Sequence, residues 1–228
     1  MGPAPKNGAS SGPHNGGVNM PDRDGWTTLS EPALRELYEE PHPDVRDKIA
    51  SAITAETRDF IARSSLLFLA TVDRHGRCDC TPRGDAPGFV RVLADRFLVI
   101  PDRPGNRRVD SMHNIIATGQ AGVILLITGR ADAVRVNGRA WVTDDPAVTG
   151  LFAPADHAGA AIVIEADEVF IHCSMALVRS GAWNPISWAP VTAAPTMDQL
   201  WDGHLAQSRG ETFSQQEVAV MSPDGPPR

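Results

Sequence analysis

The sequence predicts a mainly β protein, an antiparallel barrel closed or half-closed, with helices ahead of the strands and between them. Three observations lead there. Short continuous apolar runs of strand length recur along the middle of the chain. Several are joined by two- to four-residue turns, and hairpins of that kind exclude a doubly wound parallel sheet. The chain is 228 residues long and 42% hydrophobic, enough for one sizeable core without disulfide or metal staples.

Residues 1–24 are rich in Gly, Pro, Asn and Ser, with Val18 the single β-branched aliphatic residue. They are expected to form a disordered extension, with order beginning near Trp26 and one domain over residues 25–207. Thr28-x-x-Glu31 matches a capping box ahead of Leu34 and Leu37. Pro41 and Pro43 mark a loop, and Val45, Ile49, Ala52 and Ile53 fit a helical face carrying Lys48. Thr54 is placed to cap a further helix bearing Phe60 and Ile61.

The period then changes. Residues 65–72 (SLLFLATV) read as a buried strand, and Arg74-His75-Gly76-Arg77 turns it into a second strand over 77–82. Residues 89–93 and 96–101 pair across Ala94-Asp95. Residues 122–128 turn at Gly129-Arg130 into 133–143, where Val134, Val136, Ala140 and Val142 share one face and Arg135, Asn137, Arg139 and Trp141 the other. Ala161–Cys173 is the last long strand. A short helix is expected up to Ser180, another over 197–205, and a loose tail over 208–228.

Charge and composition remove several function classes. The net charge of −7 argues against a general nucleic-acid binder. No run of 18 apolar residues predicts a membrane span. Nineteen of the 21 basic residues are Arg; Lys6 and Lys48 are the only lysines. Neither lies where a buried Schiff-base amine would be needed, so covalent amine catalysis is excluded, and no Gly-Lys-Ser/Thr makes a P-loop. The three cysteines, Cys78, Cys80 and Cys173, and the absence of an apolar leader stretch in residues 1–24 fit a cytoplasmic protein.

One segment runs against the overall charge. Residues 74–108 hold eight Arg and four Asp, with no Lys or Glu. Within it, Pro101-Asp102-Arg103-Pro104-Gly105-Asn106-Arg107-Arg108 leaves a strand, turns, and enters a helix carrying Met112, Ile115 and Ile116. A strand–turn–helix junction offers unpaired backbone N–H groups and the positive end of a helix dipole; Arg107 and Arg108 add charged donors. The residues fit a seat for one phosphate, and equally a solvated turn in which the arginines pair with Asp102 and Asp110. Cys78-x-Cys80 with His75, His172 and Cys173 is a poor metal set by spacing, and no metal is expected.

These residues carry a resemblance. The sequence resembles the pyridoxamine 5′-phosphate oxidase-like, FMN-binding split-barrel superfamily, in its bacterial FMN-dependent branch. The matching segments are Phe68-Leu-Ala-Thr-Val-Asp73, Thr81-Pro-Arg-Gly-Asp85, Leu98-Val-Ile-Pro-Asp-Arg-Pro-Gly-Asn-Arg-Arg-Val-Asp-Ser111, Arg135-Val-Asn-Gly-Arg-Ala140, and His172-Cys173 with Arg179-Ser180 and Trp183. The resemblance spans about residues 28–190. It implies a cytoplasmic homodimer of split antiparallel β-barrels with FMN between the subunits and a small organic molecule as substrate, with no nucleic acid or membrane partner.

The implied cofactor-binding residues are Thr81, Pro82, Arg83, Pro101, Asn106, Arg107, Arg108, Arg135, Arg179 and Trp183, with Arg135 reaching the flavin from the partner. No catalytic residue is implied; Asp79, Asp85 and His172 are the acid–base candidates, each with a structural role as the alternative. Two departures from the family pattern stand out. No Arg-Leu-His occurs, so the chain is not expected to oxidise pyridoxamine phosphate itself, and Met175 stands where relatives often have Lys. The alternatives are the same fold with deazaflavin F420 or haem, and a non-catalytic flavin-binding protein.

Overall fold

A computed structural model describes residues 28–153, 159–190, 192 and 194–209. The expected N-terminal extension, the start of order near Trp26 and most of the expected tail lie outside the described residues. The chain divides into two compact units, residues 1–46 and 47–228.

In the first unit, helix α1 (Glu31–Leu37) is capped by Ser30, whose side chain accepts from Ala33 N at 3.4 Å. The expected cap at Thr28 is therefore two residues too early. A Thr28 cap would make Pro32 the first residue whose N–H must bond inside the helix, and proline has none. With Ser30 as cap, that first bond comes from Leu34 N to Ser30 O at 2.9 Å. Helix α2 (Pro43–Asp47) is also shorter than the expected helical face.

Beyond it, Ala50 forms a two-bond bridge to Val169, with Ala50 N to Val169 O at 2.9 Å and Val169 N to Ala50 O at 2.8 Å. Lys48 thus follows the helix rather than lying in it. Ile53 is buried all the same, its N–H bonded to Asp95 O at 2.8 Å. Helix α3 (Ala55–Arg63) begins at Thr54, which accepts from Thr57 N at 3.2 Å.

Seven strands follow: β1 (Leu66–Val72), β2 (Cys78–Gly84), β3 (Arg91–Leu93), β4 (Phe97–Pro101), β5 (Gln120–Leu126), β6 (Asp132–Thr143) and β7 (Ala161–Cys173). They form one antiparallel sheet in the order β2-β1-β5-β6-β7-β4-β3. Hairpin chemistry is local. Ala94 and Asp95 have φ of 48° and 54°, the positive values a two-residue type I′ turn requires. At the β1–β2 turn, Asp73 accepts from Arg77 N at 2.9 Å, His75 N at 2.7 Å and Arg77 Nε at 2.7 Å. Those bonds, the one from the Arg77 backbone foremost, lower its pKa to about 2.

Helix α4 (Asp110–Thr118) leaves β4 by a loop and packs across β1, β2, β5 and β6. It buries Met112 and Ile115 against Leu67, Leu69, Val123, Leu125, Val136 and Ile164. Ile116, which the sequence places on this helix with Met112 and Ile115, is 72% exposed because Ser111, Met112 and Ile115 define the inward face. Three further helices are α5 (Pro146–Thr149), α6 (Met175–Arg179) and α7 (Met197–Arg209), the last one turn longer than expected.

The β6–β7 ladder carries an irregularity at Asn137/Gly138. A Cβ on Gly138 would overlap the Glu165 carbonyl oxygen, so only glycine lets the two backbones approach there. Gly138→Ala should therefore cost about 2 kcal/mol or more, at the upper end of overpacking penalties. Urea denaturation of the two proteins checks this, and equal midpoints would contradict it.

Candidate functional site

Alternation along β2 turns Asp79, Thr81 and Arg83 toward one face, where all three are half-buried, and leaves Cys78, Cys80 and Pro82 exposed. Facing them is the segment that leaves β4 and enters α4. Between the two lies an open cavity of about 810 Å³, lined by β2 from Asp79 to Arg83 and by residues 102–112. That volume lies within the usual range for small-molecule sites, roughly 300–1,000 Å³.

Two polar connections hold the walls together. Ser111, which is buried, donates to Asp79 Oδ2 at 2.8 Å and lies 3.4 Å from the Thr81 hydroxyl. Behind it, Asn114 donates to the Thr71 hydroxyl at 3.0 Å, and Thr71 to Asp79 Oδ2 at 3.5 Å. Nearer the mouth, Arg83 Nη1 meets Asp102 Oδ1 at 3.3 Å. Four strands separate β2 from β4 in the sheet order, and the Arg83–Asp102 pair joins β2 to the residue that follows β4.

The backbone of the junction is strained. Arg107 and Val109 have φ of 63° and 50°. For β-branched Val109 this is a true outlier, of a kind that costs about 1–3 kcal/mol. Val109 is the N-cap of α4 and offers no side-chain bond; Met112 N donates to Val109 O at 3.0 Å, and the N–H groups of Asp110 and Ser111 open the helix ahead of it. Asn106 Oδ1 stabilises the turn by accepting from Arg108 N at 3.0 Å.

Most of the arginines here are already paired. Arg83 meets Asp102, Arg103 meets Asp85, and Arg108 Nε meets Asp110 Oδ2 at 2.7 Å. The self-paired turn of the second sequence reading is therefore seen in part, with Arg108 on Asp110 and Asp102 taken by Arg83. Two donors remain. Arg107 has no ion-pair partner among the described residues. The Nε of Arg83 is buried without an acceptor.

Of the residues singled out from sequence, Thr81, Pro82, Arg83, Asn106, Arg107 and Arg108 line this cavity. Pro101 is buried in β4 and borders a smaller neighbouring cavity instead. Arg135 stacks on Phe170, 4.8 Å from the ring centroid, and does not line the cavity. Trp183 donates from Nε1 to Arg130 O at 2.8 Å, and Arg179 closes α6; neither borders the cavity. Of the acid–base candidates, Asp79 lines it, Asp85 pairs with Arg103, and His172 sits on β7 opposite Ala133. Met175 is exposed at the start of α6. Among the described residues no cluster of three or more His, Cys, Asp or Glu side chains could hold a metal, and no helix is long and apolar enough to cross a membrane. Ser111 was missed from sequence; its signal was its place in the first turn of the helix that follows the arginines.

The family model for pyridoxamine 5′-phosphate oxidase matches residues 53–173, the span holding all seven strands and the cavity. The chain belongs to this family. Among curated proteins no sequence matches it.

Solved structures show similarity at low identity. HupZ of Group A Streptococcus is 20% identical, over 54% of this chain and 95% of its own, with a TM-score of 0.44. A candidate pyridoxamine 5′-phosphate oxidase of Lactobacillus delbrueckii is 24% identical over 53% and 95%, with a TM-score of 0.42. The haem storage protein HutZ of Vibrio cholerae is 13% identical over 54% and 94%, with a TM-score of 0.36.

The strain at Val109 yields a test. Val109 is 40% exposed and contributes little packing, so Val109→Gly should stabilise the fold by about 1 kcal/mol by relieving the left-handed backbone. A lower urea midpoint in the variant would contradict this.

Proposed function

We propose that the chain is an FMN-dependent oxidoreductase acting on a small organic molecule, with the sheet curled into a split barrel and two copies forming a homodimer. The observation that carries this reading is the Arg107 guanidinium, without an ion-pair partner among the described residues, on the same cavity as the start of α4, whose N-cap Val109 offers no side-chain bond. A phosphate accepts from both kinds of donor. The residues present thus fit a flavin mononucleotide, and the family supports the same choice.

In this reading Arg107 and the α4 N-terminus hold the phosphate. Arg108 adds charge next to its Asp110 partner, and Asn106 keeps the turn in the strained conformation that exposes the backbone donors. Thr81, Pro82 and Arg83 border the ring. When bound, the flavin supplies the redox chemistry, and the protein supplies position and charge. A guanidinium near the ring favours its anionic reduced form, and Arg83 is the candidate for that role. Water is excluded on one side by β2 and on the other by the turn at 102–109.

Split-barrel closure is supported by the Arg83–Asp102 and Ser111–Asp79 contacts between opposite ends of the sheet. The dimer is supported by the apolar outer face, where Phe68, Ala70 and Pro82 are exposed on neighbouring strands. Arg135, Arg179 and Trp183 lie away from the cavity of their own subunit, as residues serving a partner's cavity would. An F420 tail would need a second basic groove, but Arg139 is committed to Glu165 at 2.6 Å and Arg135 to Phe170.

The absorption spectrum of the purified full-length protein with added FMN is the test. Flavin bands are expected to stay with the protein. Arg107→Ala should weaken FMN binding about tenfold or more, the worth of a charged hydrogen bond. A haem-type Soret band, tighter binding of F420, or no FMN binding would overturn the reading.

A further inference from the structure

A second cavity of about 200 Å³ lies beside the first and shares Arg103 with it. Its walls are the loop over Asp85, Ala86, Pro87, Gly88 and Phe89, together with Arg91, Pro101 and Phe152. Two aromatic rings border it, each supported from behind. Phe152 is buried in a small cluster with Val99, Ala161 and Val163, and Phe89 packs against the main core. Gly88, at φ 88°, lets the loop turn back over the cavity.

Asp85 is committed to Arg103 by an ion pair, and its other oxygen accepts from Ala86 N at 2.7 Å. Arg91 has no ion-pair partner among the described residues, and its guanidinium borders the cavity. Among the described residues Arg91 is thus the cavity-lining guanidinium with no carboxylate partner, and it stands in the same lining as two phenyl rings. An apolar cavity of about 150 Å³ takes one benzene ring, so this one has room for a single ring and a small substituent. A guanidinium binds a carboxylate in a two-point fork.

We propose that this cavity binds a small aromatic monocarboxylate, with its ring against Phe89 and Phe152 and its carboxylate on Arg91. If the larger cavity holds the flavin, as proposed above, Arg103 links the two sites, and the aromatic acid is the substrate class.

Benzoate is the probe. Titration calorimetry of the full chain, with and without saturating FMN, should show one benzoate site. Arg91 is exposed, so Arg91→Gln should fold normally and weaken benzoate about tenfold or more. Benzamide, which lacks the charge, should bind more weakly by a similar factor, and saturating FMN should leave benzoate bound. The proposal is overturned by absent benzoate binding, by equal affinity in Arg91→Gln, or by competition between benzoate and FMN, which would put the probe in the larger cavity. The two readings fail separately: FMN binding without a benzoate site removes the acid site alone, and a benzoate site without FMN binding removes the flavin alone.

Discussion

The β6–β7 ladder, from Asp132 opposite Cys173 to Thr143 opposite Ala161, is the constraint on which the rest depends. On one side of it lie β5, β1 and β2; on the other lie β4 and β3. Along the sheet, β2 and β4 are related through this ladder, and one cavity wall is β2 while the other is the chain leaving β4. Its close approach at Gly138 sets where the ladder bends. Glu165, buried beside that irregularity, is held by Arg96, from the turn before β4, and by Arg139 of β6. A carboxylate buried there would be costly without those two guanidinium partners.

The same geometry explains why the cavity's arginines are matched by aspartates. Four guanidiniums around one space repel one another, and Asp102, Asp85 and Asp110 offset that repulsion without filling the cavity. Arg107 and the α4 backbone are left as the donors an incoming anion meets first. The strain at Arg107 and Val109 belongs to the same design: a relaxed helix cap would satisfy the first-turn donors from within the chain.

Much of this was legible in the sequence, for reasons that differ by element. The strands were legible because buried strands read as apolar runs bounded by turn residues, and the Ala94-Asp95 hairpin lies where the pattern put it. The strand–turn–helix course of the junction at 101–111 was legible because Pro-Gly ends the apolar run of β4 and an apolar helical face follows the arginines. The helix starting point at Ser30 was misread because the consequence of Pro32 for the first hydrogen bond was not weighed against the capping-box pattern. The segment around Ala50 was misread because its partner, Val169, is more than a hundred residues away, and local periodicity carries no trace of it. The Ser111–Asp79 bond and the pairing of Arg83 with Asp102 are long-range in the same sense. Family resemblance implied a cofactor role for Arg135, Arg179 and Trp183, and within one chain they do not line the large cavity.

The central claim is that the arginine-bearing junction seats a phosphate. The most direct measurement compares FMN with riboflavin, which carries the same ring and ribityl chain without the phosphate. With charged hydrogen bonds worth about 1.5–3 kcal/mol each, FMN should bind on the order of 100-fold more tightly than riboflavin. Equal affinities for the two would contradict the account.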